Sequence, residues 1–69
     1  MDIIKPVKFE IERSTLESGR VLIMVVATMS NGRNTVWGDP RTERGAKTVL
    51  SRAARLHGFT VIGDTAQAA

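Results

Sequence analysis

Sixty-nine residues carrying a formal net charge of +3 and no cysteine describe one small domain, 1–69, with no disulfide or thiolate-bound metal to staple it. A chain of this size buries only about 60% of the surface its unfolded form exposes, so stability must come from packing or from a partner chain. An apolar fraction of 42% argues against disorder. The longest apolar run, Val21 to Ala27, is too short for a bilayer, and no membrane association is expected.

The charge is unevenly placed. Lys5, Lys8, Arg13 and Arg20 balance Asp2, Glu10, Glu12 and Glu17 over the first thirty residues, so the whole excess lies in residues 31–69, on or near one segment. With no secretory signal and no cysteine, a cytoplasmic setting is expected.

In chain order, Pro6 delays strand pairing, and Val7 to Arg13 then alternates apolar and charged residues as a half-buried strand does. Ser14 to Gly19 reads as a six-residue loop. Arg20 to Ser30 follows as a strand rich in branched side chains, and Asn31-Gly32 signals a two-residue hairpin turn into a third strand, Arg33 to Trp37. With Arg13 set opposite Arg20 and Ser30 opposite Arg33, the pattern puts Val7, Phe9, Ile11, Leu22, Met24, Val26 and Trp37 on one side of the sheet. Val21, Ile23, Val25, Ala27, Met29 and Val36 then form an apolar stripe on the other.

Asp39 to Gly58 is the strong helix. Asp39 is expected to cap it, Pro40 suits its first position, and Gly58 ends it. At about 100° per residue, Thr42, Ala46, Val49, Leu50, Ala53, Leu56 and His57 share an apolar arc, while Arg41, Arg44, Thr48, Arg52 and Arg55 share another, flanked by Lys47 and Ser51. Phe59 to Gly63 reads as a short last strand, parallel to the first and beside it in a 3-2-1-4 order, and residues 64–69 as a fraying tail. The fold class is therefore α+β: a β-β-β-α-β chain with an antiparallel three-stranded meander, a short fourth strand, and one amphipathic helix packed on one sheet face.

Nothing here carries catalytic chemistry. There is one histidine, His57, read as a residue of the helix end, and no glycine-rich phosphate loop, dinucleotide fingerprint or metal-ligand cluster, so no enzyme activity, metal or cofactor is expected. Gly38-Asp39 and Gly63-Asp64 could bring two carboxylates together, but they read as a helix cap and a turn. The basic stripe is the functional lead. Guanidinium groups pair phosphate oxygens, so Arg41, Arg44, Lys47, Arg52 and Arg55 are candidate nucleic-acid contacts, with Thr48 and Ser51 adding hydrogen bonds and Arg33 a second point at the hairpin tip. Trp37 reads as core. The uncovered stripe Val21, Ile23, Val25, Ala27, Met29 and Val36 is a candidate interface for a homodimer or another protein.

The arginine-, alanine- and glycine-rich run Arg41 to Gly58 and the brevity of the ββαβ-like chain resemble the small orphan proteins of actinobacterial phages. That resemblance implies a viral origin and either DNA binding or engagement of a host protein. The leading expectation is a small non-enzymatic nucleic-acid-binding or regulatory protein; the alternative is a protein-protein interaction module acting through the helix or the open sheet face.

Overall fold

Both long hairpins close on a three-residue loop that ends in glycine, and this sets the face of every strand around them. The computed structural model describes residues 3–68. Met1 and Asp2 of the N-terminal stretch, and Ala69 of the tail, lie outside the described residues. Strand β1 spans Pro6–Thr15, β2 Val21–Met29 and β3 Asn34–Gly38; helix α1 spans Glu43–His57, followed by β4 Thr60–Ile62 and β5 Thr65–Gln67. The strands form one antiparallel sheet in the order β3-β2-β1-β5-β4.

At the first hairpin the Leu16 amide donates to the Arg20 carbonyl and the Gly19 amide to Leu16; at the second, Met29 donates to Arg33 and Gly32 to Met29. Gly19 and Gly32 have φ of 87° and 86°, the left-handed residue that a type I turn with a bulge requires at its end. Each register therefore differs from the expected one. Phe9 lies opposite Ala27 and Ile11 opposite Val25, rather than Met24 and Leu22, and Ala27 lies opposite Thr35.

Both slips are odd, and an odd slip exchanges the two faces of a strand. Strand β2 is inverted relative to β1. Strand β3 is inverted twice, so it keeps the face expected of it. The core under the helix therefore holds Phe9, Ile11, Ile23, Val25, Ala27 and Ala66 from the sheet, with Met29 packed at its margin. Leu22, Met24 and Val26, expected there, share the open face with Lys8, Glu10 and Glu12 across the β1–β2 pairing. Val7, expected in the core, is exposed at a register irregularity between Pro6 and Lys8.

The expected apolar interface is corrected accordingly. Ile23, Val25 and Ala27 are buried beneath the helix, Met29 is half-buried there, and Val21 is exposed but lies on the same helix side, at the end of β2. Only Val36 of that set lies on the open face, opposite Val26. The apolar residues on the face away from the helix are Leu22, Met24, Val26 and Val36, of which Leu22 and Val36 are exposed, Met24 is half-buried and Val26 is buried, beside the Lys8–Glu10 ion pair at 3.2 Å and the Thr28–Asn34 hydrogen bond at 3.3 Å.

The helix starts later than Asp39. Thr42 is the cap, extended at φ −135°, ψ 159°, with its hydroxyl accepting from the Gly45 amide at 3.0 Å, and Glu43 in the first turn favours the positive end of the helix dipole. Asp39 and Pro40 belong to the connection from β3. A Cβ on Gly45 would lie 3.2 Å from the Thr42 hydroxyl and 3.3 Å from the Pro40 side chain, so glycine lets that connection fold back on the first turn. At the other end Gly58, at φ 68°, and the Phe59 amide satisfy the Arg55 and Ala54 carbonyls, the double bond of a Schellman ending.

The buried side of the helix is Ala46, Leu50, Ala53 and Ala54, with Val49 at its margin. Ala54 is drawn in and Leu56 left 80% exposed, so the apolar arc is rotated from the expected one by part of a turn. Small alanines let the helix lie close to the sheet. A Cβ on Gly38 would sit only 2.9 Å from Val49 Cγ1, which places the end of β3 directly against the helix.

Beyond the helix the chain makes a hairpin in place of a tail. Gly63, at φ 61°, and Asp64 form a two-residue turn between Ile62 and Thr65, and β5 inserts antiparallel between β1 and β4. Residues 65–67 are thus a strand with Ala66 fully buried, rather than part of a frayed end. Strand β4 keeps the expected direction, parallel to β1, but does not touch it.

Candidate nucleic-acid interface

The outer face of α1 is built by one device on its inner side. Phe9, Ile11 and Arg13 project from β1 toward the helix, and Arg13, the last of the three, reaches the helix start and the β4–β5 turn together. Its Nε and Nη2 donate to the two Glu43 carboxylate oxygens at 2.6 Å each, a bidentate fork, and its Nη1 donates to Asp64 Oδ2 at 3.0 Å. Lys47 Nζ lies 3.5 Å from the other Asp64 oxygen. Hydrogen bonds from Arg13 hold the Glu43 and Asp64 carboxyls below their usual values, and those same bonds raise the Arg13 guanidinium above its own.

This network turns the acids near the helix inward. Arg44, Arg52 and Arg55 are exposed on the opposite side of α1, and no carboxylate pairs with them among the described residues. From Arg44 to Arg55 the rise of an α-helix covers about 16 Å. Arg41 lies just before the cap, exposed, where it lines a groove of about 260 Å³ with Arg20, Val21, Leu22, Ile23, Asp39 and Pro40. Lys47, expected on the stripe, is engaged with Asp64. The Thr48 hydroxyl donates to the Arg44 carbonyl at 3.0 Å, which leaves its lone pairs outward, and Ser51 is exposed.

Arg33 is exposed beside the β2–β3 loop. The helix runs antiparallel to β3, so this loop and the helix C-terminus lie toward the same end of the molecule, with Arg55 and Arg33 both near it. Arg41 and Arg20 mark the other end. The cations therefore run along the molecule's length, which is 44 Å on its longest axis.

Trp37 sits at an irregularity in the β2–β3 register, where Val26 pairs with Val36 but Val25 with Gly38. Regular alternation from Val36, which shares the open face with Val26, already puts its side chain on the helix side, the side expected of it, and the bulge leaves it without a partner on β2. There it meets Phe9 edge-on at 5.0 Å and His57 edge-on at 5.8 Å between ring centres, and Phe59 completes the cluster at 5.6 Å from Phe9. Phe9 is wholly buried, whereas Trp37 remains 41% exposed, so it forms a rim to the core rather than part of its interior.

Two features were missed in the sequence and one signal was available for each. Gly63-Asp64 between Thr60-Val61-Ile62 and Thr65-Ala66-Gln67 is itself a two-residue hairpin signal. Arg13 continues the Phe9, Ile11 alternation and so had to face the helix.

Asp39 and Asp64 do not form a shared cation site: Asp64 is held by Arg13 and Lys47, and no group of three or more potential metal ligands occurs among the described residues. No helix among the described residues is long and apolar enough to cross a membrane. No protein-family model, curated protein or solved structure matches the chain.

Proposed function

We propose that this chain is a small non-enzymatic nucleic-acid-binding protein that contacts phosphates through the outer face of α1, with Arg41, Arg44, Arg52 and Arg55 as the principal groups and Arg33 as an outlying one. The observation that carries this reading is the segregation of charge around the helix. Glu43 and Asp64 are drawn to Arg13 and Lys47 on the inner flank, and the outer face keeps cations alone. A rigid helix holding guanidinium groups in a row can follow a phosphate backbone, and the term is electrostatic and sequence-independent. Lys47 contributes through the long-range field rather than as a free contact, and Thr48 and Ser51 are positioned to hydrogen-bond phosphate oxygens between the arginines.

The test is charge reversal on the stripe. Arg52→Glu with Arg55→Glu, which changes only exposed positions, should abolish binding to a labelled oligonucleotide at low salt while leaving thermal stability within a few degrees. Unchanged binding would remove the reading.

A second reading, a protein-interaction module, is favoured by a different observation. Strand β3 covers β2 only from Val25 to Thr28, so the edge of β2 at Val21 to Met24 is unpaired beside the groove lined by Arg20 and Arg41. Alternation along an antiparallel ladder aims the Val21 and Ile23 backbone groups at that open lane. An extended acidic peptide could add a strand there. Amide shifts confined to Val21, Ile23 and Arg41 on titration with such a peptide, and absent with oligonucleotide, would decide for it. A homodimer, expected through the β2 stripe, would need this edge or the Leu22/Met24/Val26/Val36 strip instead. A phage protein acting on a host macromolecule fits either reading.

A further inference from the structure

The phosphate-binding reading leaves the form of the nucleic acid open, and the surroundings of Trp37 narrow it. We infer that Trp37, with His57 beside it, is a stacking platform for an unpaired nucleobase, and that the ligand is single-stranded. This rests on the phosphate-binding reading of α1 and adds to it a second, uncharged contact.

Trp37 is the only tryptophan in the chain and keeps 41% of its surface in contact with solvent, although its ring is anchored. Phe9 lies edge-on against it from within the core at 5.0 Å, and His57, itself exposed, meets it at 5.8 Å. A ring held from beneath and open outward loses little freedom when a base stacks on it.

One cation of the stripe, Arg52, lies on the same flank. Gly38 abuts Val49, so the side of α1 that carries Val49 faces β3. Arg52 and Leu56 follow Val49 by three and seven residues on that side, and His57 comes next to Trp37 itself. Leu56 is 80% exposed, an apolar surface with no partner in the described chain. Aromatic rings, a bare leucine and the Arg52 guanidinium on one flank are what a strand with splayed bases meets: faces for the bases and charge for the backbone. A duplex offers the charged backbone but no free base faces, since its bases are already stacked and paired.

The sole tryptophan also supplies the readout. The wild-type protein is titrated at low salt with three labelled oligonucleotides of equal length: single-stranded oligothymidylate, an abasic strand carrying the same phosphates, and a duplex. Stacking predicts quenching of Trp37 emission by oligothymidylate only, and tighter binding of it than of the abasic strand. By polarisation of the labelled strand, Trp37→Ala should weaken oligothymidylate binding about 5- to 150-fold and leave abasic binding unchanged. Trp37→Phe, which keeps a ring in place should the alanine variant misfold, should retain most of the preference. Equal affinity for thymidylate and abasic strands, or unquenched emission at saturation, would overturn the platform and leave the phosphate reading standing. Binding of none of the three would overturn both.

Discussion

Gly38→Ala is a test of how the helix lies on the sheet. Gly38 has no positive φ, so its backbone would accept alanine, and by that measure the substitution should stabilise the fold by about 0.4–1 kcal/mol through the unfolded chain. Contact reverses the sign. The new Cβ would meet Val49 Cγ1 at 2.9 Å, and a β-branched side chain on a helix has one strongly preferred rotamer, so Val49 cannot turn aside. Overpacking of this kind costs about 1–3 kcal/mol, which leaves a net loss of up to about 2.6 kcal/mol. For a domain of this length each kcal/mol moves the melting temperature by about 4–8 °C. The decisive form is a double-mutant cycle by urea denaturation. In a Val49→Ala background the clash is gone, and Gly38→Ala should become neutral or stabilising. An equal cost in both backgrounds would refute the close approach of β3 and α1.

Three further outcomes follow from named contacts. Because Arg13 lowers the Glu43 and Asp64 carboxyls in the folded state, their stabilisation is complete above the ordinary values of 4.5 and 3.8 and is lost as pH falls below them through the folded values; the melting temperature should fall across that window, less steeply in Arg13→Met. Thr42→Ala should cost about 1 kcal/mol and Thr42→Ser little, whereas Asp39→Ala should stay within about 0.5 kcal/mol, since Thr42 and not Asp39 caps the helix; thermal melts of the three variants distinguish the two assignments. Ile23→Ala should cost about 2–5 kcal/mol and Leu22→Ala under about 1 kcal/mol, because Ile23 lies beneath the helix and Leu22 on the open face; the reverse order in denaturant would restore the opposite face of β2.

The face of β2 was the part of the fold least legible in the sequence. Val21 to Ala27 is apolar at every position, so nothing within it chooses a side, and the choice passed to the turns. Asn31-Gly32 looks like a two-residue turn, yet Ser30, Asn31 and Gly32 act together as a three-residue loop, with glycine alone in the left-handed region. In strand β1 the alternation of Phe9, Ile11 and Arg13 with Lys8, Glu10 and Glu12 was unambiguous, and there the expected face and the observed one agree. Trp37 reached its expected side because two errors of register cancelled. Helix α1 was legible in its period but not in its start, since Asp39-Pro40 and Thr42-Glu43 offer competing caps and only the Pro40–Gly45 contact favours the second.

The arginine positions could be read from spacing alone, because a solvent-facing helix side needs no tertiary information. Which of them are free could not. That depends on Asp64 arriving beside Arg13 and Lys47, an event set by a hairpin more than fifty residues from Arg13 in the chain.

The salt dependence of binding tests the central claim most directly. If Arg41, Arg44, Arg52 and Arg55 each neutralise a phosphate, the plot of log Kobs against log salt should fall with a slope of about −2.8 on a single strand, or about −3.6 if a duplex is bound, and removing two arginines should halve it. A slope near zero, or one that Arg52→Glu with Arg55→Glu leaves unchanged, would contradict the account.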